Sequence, residues 1–134
     1  MGEQEKYETT AEHFEHFTGE AERFISLFGL QDWQVAFHHL PLEDCRANCR
    51  FDCQAKQASI SLAAEWSQYD ALSPEKISKT AFHEVCELLL ADMYGAATDV
   101  DVSGRLREER FERTTHAVIR RMENAVFPLL KRKE

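Results

Sequence analysis

The sequence predicts a single α+β domain with an N-terminal helix, a small antiparallel sheet of about three strands, a second helix and a C-terminal helix. Three observations lead to this fold class. The chain of 134 residues has the length of one domain. Apolar residues recur at helical spacing towards both ends and alternate with polar residues in between. No repeat or linker-like tract divides the chain, so residues 1–134 form one predicted domain.

The first half of the chain predicts a helix followed by three strands. Residues 1–10 are polar, and we expect them to be loosely ordered. Apolar residues at helical spacing then predict a helix over about residues 10–30. Alternation predicts strands at 33–37 and 58–62, and a weaker pattern predicts another at 48–53. We expect these three strands to form the antiparallel sheet.

The second half of the chain predicts two helices. The segment Ser73–Glu75 is typical of a helix start, because it combines a capping Ser, a Pro in the first turn and an acid near the positive end of the dipole. This helix should extend to about Tyr94, with Gly95 as its stop. A last helix is predicted over about residues 105–130.

The composition indicates a soluble and acidic protein. Hydrophobic residues make up 43% of the chain, which is enough for a core without a disulfide or a structural metal. The net charge of −8 argues against a nucleic-acid partner, because such binding needs clustered Lys and Arg. The sequence contains no apolar run of about 18 residues, so it predicts no membrane span. Residues 1–10 lack the apolar part of a secretory signal. We therefore expect a cytoplasmic protein.

The segment His83-Glu84-Val85-Cys86-Glu87 carries the strongest chemical signal. His83 and Glu87 are four positions apart, so they share one face of the predicted helix. Glu84 is about 100° around the helix from His83. Two ligands one turn apart can hold a divalent ion, while a neighbouring carboxylate reaches the water on that ion.

The wet face of an ordinary amphipathic helix also explains these three residues. Lys76, Thr80 and Ala91 fall in the same sector, and apolar residues fill most of the remaining circumference. Three features favour a metal site instead. The polar strip is narrow, a small sheet precedes the helix, and His116 on the last helix is a candidate third ligand.

This layout resembles a compact zincin-like metallopeptidase of the kind found among short phage and bacterial proteins. The segments that carry the resemblance are Trp33–Val35, Ser59–Leu62, His83–Glu87 and His116–Met122. In that family a helix bearing HExxH follows the strands, and a downstream helix supplies a Glu as third ligand. Here Glu87 stands where the second motif histidine is expected.

The resemblance implies a ligand set that the substitution at Glu87 rearranges. If the downstream ligand falls at His116, the set still contains two imidazoles and one carboxylate, which zinc accepts. Glu112 lies one turn before His116, so it is either the alternative third ligand or a partner that orients the imidazole.

The activity implied by the resemblance is metal-dependent hydrolysis of a peptide. Zinc held by His83, Glu87 and His116 would acidify a bound water, and Glu84 would act as general base. A carboxylate-rich ligand set also suits manganese or iron. The peptide or protein substrate would add a strand to an exposed sheet edge. The alternative is a catalytically inactive domain of the same fold that binds a metal or a partner protein.

The cysteines are weaker candidates for a metal site. Cys45, Cys49 and Cys53 are each separated by three residues, which is not the spacing of a zinc ribbon. Cys86 borders the apolar side of the second helix. We expect all four to be reduced thiols that pack as small hydrophobic groups.

Overall fold

The computed structural model describes residues 6–67, 72–98 and 104–130, which form helices and two small sheets. The predicted α+β class is confirmed. The elements follow in chain order: β1 (Lys6–Glu8), α1 (Ala11–Leu27), β2 (Gln34–Leu40), β3 (Ala47–Asp52), β4 (Gln57–Ala63), β5 (Glu65–Ser67), α2 (Pro74–Leu89), α3 (Ala91–Thr98) and α4 (Gly104–Leu130).

The larger sheet has the strand order β2-β4-β3. β3 runs antiparallel to β4, as predicted, but β2 runs parallel to β4. The expectation of a purely antiparallel sheet is therefore wrong for the β2–β4 pair. The reason lies in the connections: residues 41–46 carry the chain past the central position before β3 begins, and β4 then enters between β2 and β3. Only β3 and β4 are joined by a short turn, in which the Asp52 side chain accepts hydrogen bonds from the backbone of Gln54 and Ala55.

A second sheet of two strands ties the start of the described chain to the segment before α2. β1 pairs antiparallel with β5, and Tyr7 lies opposite the buried Trp66. The Thr9 hydroxyl extends this contact by donating to the Ala63 carbonyl at 2.6 Å. The expected loose order of residues 1–10 is therefore wrong for Lys6–Glu8, and residues 1–5 lie outside the described part. Strands of three residues are too short for an alternation pattern to reveal them.

Capping side chains form the starts of helices α1 and α2. The Thr10 hydroxyl accepts from the His13 backbone, and the His13 ring accepts from the Thr10 backbone. Ser73 caps α2 by accepting from the backbone of Lys76. The helix predicted from Ser73 onwards therefore begins where expected.

The second predicted helix ends earlier than expected. It stops at Leu89, and a separate helix, α3, begins at Ala91. Gly95 lies inside α3 and does not end a helix, so its expected role as a stop is wrong. A side chain at Gly95 would bring its Cβ within 3.2 Å of the Cys53 sulfur. Glycine at this position therefore serves close packing of α3 against the end of β3.

The core lies between the three-stranded sheet and the helices α1 and α2. α2 packs against both α1 and β3. The largest fully buried side chains include Phe17, Ile60, Leu62, Ile77, Val85 and Leu88. This packing fixes which side of α2 faces the sheet, and hence where its polar residues emerge.

The last predicted helix is confirmed as α4, which packs against α3. The Arg121 guanidinium donates to the Phe28 carbonyl at 3.2 Å, and it also donates to the Gly29 carbonyl. α4 is thereby held at the C-terminal end of α1. The segment 96–104, which lies between the two predicted helices, belongs partly to α3 and α4, and its residues 99–103 are outside the described part. In the described ranges, no helix has the length and apolar character needed to cross a membrane.

Candidate metal centre

One turn of α2 brings together three groups that can ligate a metal ion. His83, Glu84 and Glu87 each offer a ligand atom, and these atoms lie within 4.8 Å of one another. His83 and Glu87 are exposed, whereas only 4% of Glu84 is exposed. The cluster therefore spans the boundary between solvent and the interface of α2 with β3. The sequence predicted this juxtaposition, because Glu87 lies three positions after Glu84 and four after His83, and residues at these spacings are neighbours on a helix.

The electrostatics of the cluster are set by the burial of Glu84. Burial, together with the hydrogen bond and the negative charge of Glu87, raises the pKa of its carboxyl to about 8. Near neutral pH the carboxyl of Glu84 therefore carries a proton in the metal-free chain. A divalent cation beside Glu84 and Glu87 stabilises the charged form of both groups and takes the place of that proton.

The donor set fits a divalent ion. One imidazole and two carboxylates are ligands that zinc, manganese and iron all accept. The buried carboxyl of Glu84 gives a second sign of fit, because a buried acid needs a proton or a cation as its partner.

The cluster opens onto a cleft of about 360 Å³ between α2 and the beginning of β3. His83, Glu84 and Thr80 line one wall of this cleft, and Cys45 and Ala47 line the other. This volume is within the range of small-ligand sites. The cleft therefore has room for a side chain or a small group next to the three candidate ligands.

β3 forms the edge of the sheet beside this cleft. Within the described chain it pairs with β4 alone, so its other edge is free. Ala47 belongs both to β3 and to the wall of the cleft. A chain that added to this edge would pass close to His83 and Glu84.

The structure does not bring His116 or Glu112 into the cluster. The His116 side chain is 63% exposed on α4, and its Nε2 atom lies 4.0 Å from Oε1 of Glu112, which is 76% exposed. α4 packs against α3 and the end of α1, and this leaves the His116 face in solvent. The predicted third ligand and its alternative therefore form a surface pair of their own. Helical periodicity shows which residues share the face of α4 that carries His116. It does not show which neighbouring elements α4 packs against.

All four cysteines are free in the described chain. They differ in position. The Cys53 thiol contacts the Ala91 carbonyl at 3.4 Å, as a packing thiol does. Cys49 instead lies on the face of the sheet that packs against α2, the helix that carries the cluster. Burial, together with the charges of Glu84 and Glu87, raises the pKa of the Cys49 thiol to about 12.

Sequence reasoning missed the closeness of Cys49 to the cluster. The signal that reveals it is strand register: Cys49 lies opposite the fully buried Ile60, so it is on the sheet face that packs against α2.

Comparisons with protein-family models, with curated proteins and with solved structures found no match to this chain.

Proposed function

We propose that this protein is a divalent-metal-dependent hydrolase of the zincin-like class, in which His83 and Glu87 are metal ligands and Glu84 is the general base. The observation that carries the proposal is the convergence of these three groups within 4.8 Å, with a buried carboxyl on its inner side. Zinc is the first choice of metal, and manganese or iron also suits the carboxylate ligands.

Each of the three residues has a distinct task. An ion held there would supply Lewis acidity towards water and a carbonyl group. His83 and Glu87 hold the ion from the solvent side, because both side chains are exposed. Glu84 accepts a proton from water and donates it to the leaving amine. Its pKa of about 8 in the metal-free chain lies near working pH, and a bound cation would lower it.

A peptide is the substrate that the surroundings favour. The free edge of β3 can pair with an extended peptide through backbone hydrogen bonds. The cleft next to Ala47 can then take a substrate side chain beside Glu84. Both features lie on the side of α2 that carries the candidate ligands.

One observation favours a second function, a catalytically inactive module that binds a metal or a partner protein. Glu87 replaces an imidazole of the motif, so two carboxylates stand near the ion. Added negative charge makes a water on the ion less acidic, which weakens hydrolysis. The same fold and the same free strand edge would then serve binding alone.

Metal content tests the centre first. We expect the purified full-length protein, supplemented with zinc and dialysed, to retain about one ion per chain by plasma mass spectrometry. His83→Ala and Glu87→Ala should lose it. His116→Ala is the matched control, because it removes an exposed histidine of another helix-borne His–Glu pair, and it should retain the ion. Failure of the wild type to retain zinc, manganese or iron would contradict the proposal.

Activity then separates the enzyme from the inactive module. Wild type and Glu84→Gln, both loaded with metal, are compared on an unstructured protein substrate such as casein. If the protein is an enzyme, the wild type cleaves the substrate and the Glu84→Gln variant does not, although both contain the same amount of metal. Equal inertness of the two proteins with metal bound supports the inactive module instead.

A further inference from the structure

Helix α2 alone supplies an incomplete set of ligands for a catalytic metal ion. Catalytic zinc sites have three protein ligands and one open position. If Glu84 is to act as a base, only His83 and Glu87 remain as ligands from α2. His116 lies outside the cluster, so the third ligand must come from another element that packs beside α2.

β3 is that neighbouring element, and its register decides which of its side chains face α2. Ala47, Cys49 and Phe51 lie opposite Leu62, Ile60 and Ala58 of β4, all of which are buried. Side chains of opposite residues share a face of the sheet, so these three residues of β3 face the helices. Cys49 is the only one of the three with a metal-binding atom.

The level of Cys49 along α2 is set by contacts on either side. Ala47 shares the cleft with Thr80, His83 and Glu84. Further along β3, Phe51 contacts Tyr94 of α3, the helix that follows α2, edge to face, with ring centroids 6.2 Å apart. Cys49 lies between Ala47 and Phe51, so it faces the part of α2 that follows the cleft and precedes α3, where Glu84 and Glu87 lie. The charges of both carboxylates act on its thiol.

We propose that the Cys49 thiolate is the third protein ligand of the metal centre, together with His83 and Glu87, and this inference rests on the proposed metal-dependent function. The Cys49 sulfur is not among the atoms that lie within 4.8 Å of one another, so ligation requires its side chain to rotate towards the ion. Cys49 is only partly buried, which leaves space for that rotation. On binding, the thiol releases one proton to solvent and the sulfur forms the bond to the ion.

This ligand set has consequences for the metal. A set of one Cys, one His and one Glu would combine a thiolate, an imidazole and a carboxylate, and it would leave a fourth position for water or substrate. Thiolate ligands select zinc over manganese, which prefers oxygen ligands. Cys49 therefore narrows the choice of metal that the carboxylates leave open.

Cobalt(II) titration of the metal-free, reduced full-length protein tests the proposal. A thiolate ligand gives cobalt an intense near-ultraviolet charge-transfer band, which nitrogen and oxygen ligands do not give. We expect this band in the wild type, with saturation at about one equivalent of cobalt. Cys49→Ser should lose the band and bind cobalt at least about 10-fold more weakly. Cys45→Ser and Cys86→Ser should keep it.

Cys45 is the sharpest control, because its thiol lies in the same cleft as His83 and Glu84. Loss of the band in Cys45→Ser and its persistence in Cys49→Ser would overturn the assignment. Cobalt binding without the band in the wild type would overturn the Cys49 ligand and leave the metal centre standing. Absence of cobalt binding would overturn both the centre and its third ligand.

A second measurement on the wild type does not depend on the folding of a variant. Thiols are alkylated with iodoacetamide with and without zinc, and each cysteine is quantified by peptide mass spectrometry. Zinc should protect Cys49 and leave the labelling of the exposed Cys45 unchanged. The labelling time is chosen so that Cys49 of the metal-free protein reacts measurably despite its raised pKa. Equal labelling of Cys49 at that time with and without bound zinc would contradict ligation.

Discussion

Helices α2 and α4 each present a histidine and a glutamate one turn apart, and these two pairs have opposite surroundings. On α2, His83 and Glu87 stand beside the buried carboxyl of Glu84 and above a cleft. On α4, His116 and Glu112 face solvent. The comparison teaches that sequence spacing selects which side chains can meet. The packing of the helix against its neighbours decides whether a third group joins them.

Truncation of a buried side chain of α2 should cost far more than truncation of an exposed side chain of α4. Leu88 is 1% exposed on the face of α2 that holds the cluster in place, so Leu88→Ala should lower the free energy of unfolding by about 2–5 kcal/mol. Ile119→Ala is the matched control on α4, where the side chain is 46% exposed, and should change it by about 0.5 kcal/mol or less. Urea denaturation measures both. Similar losses for the two variants would contradict the contrast between the helices.

The two histidines should differ in zinc binding. His83→Ala removes a ligand and should weaken zinc binding by more than about 100-fold, because even the loss of a residue that only supports a ligand costs up to that much. His116→Ala should leave the dissociation constant within about 3-fold of the wild type. Isothermal titration calorimetry with the metal-free protein measures both constants. An equal loss of zinc affinity in the two variants would indicate that His116 is a metal ligand, although it lies outside the cluster.

The pH dependence of stability should single out Glu84. Its pKa is about 8 in the folded chain and near 4.5 when unfolded, so between these values the folded state holds a proton that the unfolded state has released. Stability of the metal-free protein should therefore fall as pH rises from 5 to 8, by about 1–3 kcal/mol for this group. Glu84→Gln should remove that decline.

Denaturation in the presence of a chelator at several pH values checks this expectation. Glu112→Gln is the control, because its carboxyl is exposed and its loss should leave the pH dependence unchanged. A decline of equal size in the wild type and in Glu84→Gln would assign the proton to another group.

The smallest effect should come from the surface pair on α4. His116 and Glu112 are 4.0 Å apart and exposed, so breaking the pair should cost about 0.5 kcal/mol or less. A double-mutant cycle with Glu112→Gln and His116→Ala, followed by urea denaturation, measures the coupling. A coupling energy above about 1 kcal/mol would show that this pair is more than a surface contact.

Local signals in the sequence predicted the features that depend on neighbours along the chain. The Ser73 cap, the strand at 57–63 and the approach of His83 to Glu87 all follow from helix and strand geometry. The break at Leu90 was not predicted, because the apolar pattern continues across it. The parallel pairing of β2 with β4 was not predicted either, since alternation gives no strand order.

The remaining features of the site depend on contacts between distant segments. The exclusion of His116 follows from where α4 packs, and the closeness of Cys49 follows from the register of β3 against β4. Periodicity assigns a residue to a face, but it does not say which element that face meets. The part of the site carried by one helix turn was therefore predictable, and the part carried by tertiary packing was not.

The free edge of β3 has a cost for solubility at high protein concentration. An unpaired strand edge is a template for another strand, and two copies of this chain can meet there as readily as a substrate can. Arg50 and Asp52 are exposed on the side of β3 that faces away from α2. Charges on an edge strand oppose self-pairing, so neutral substitutions at these two positions should favour aggregation even where the fold is unchanged.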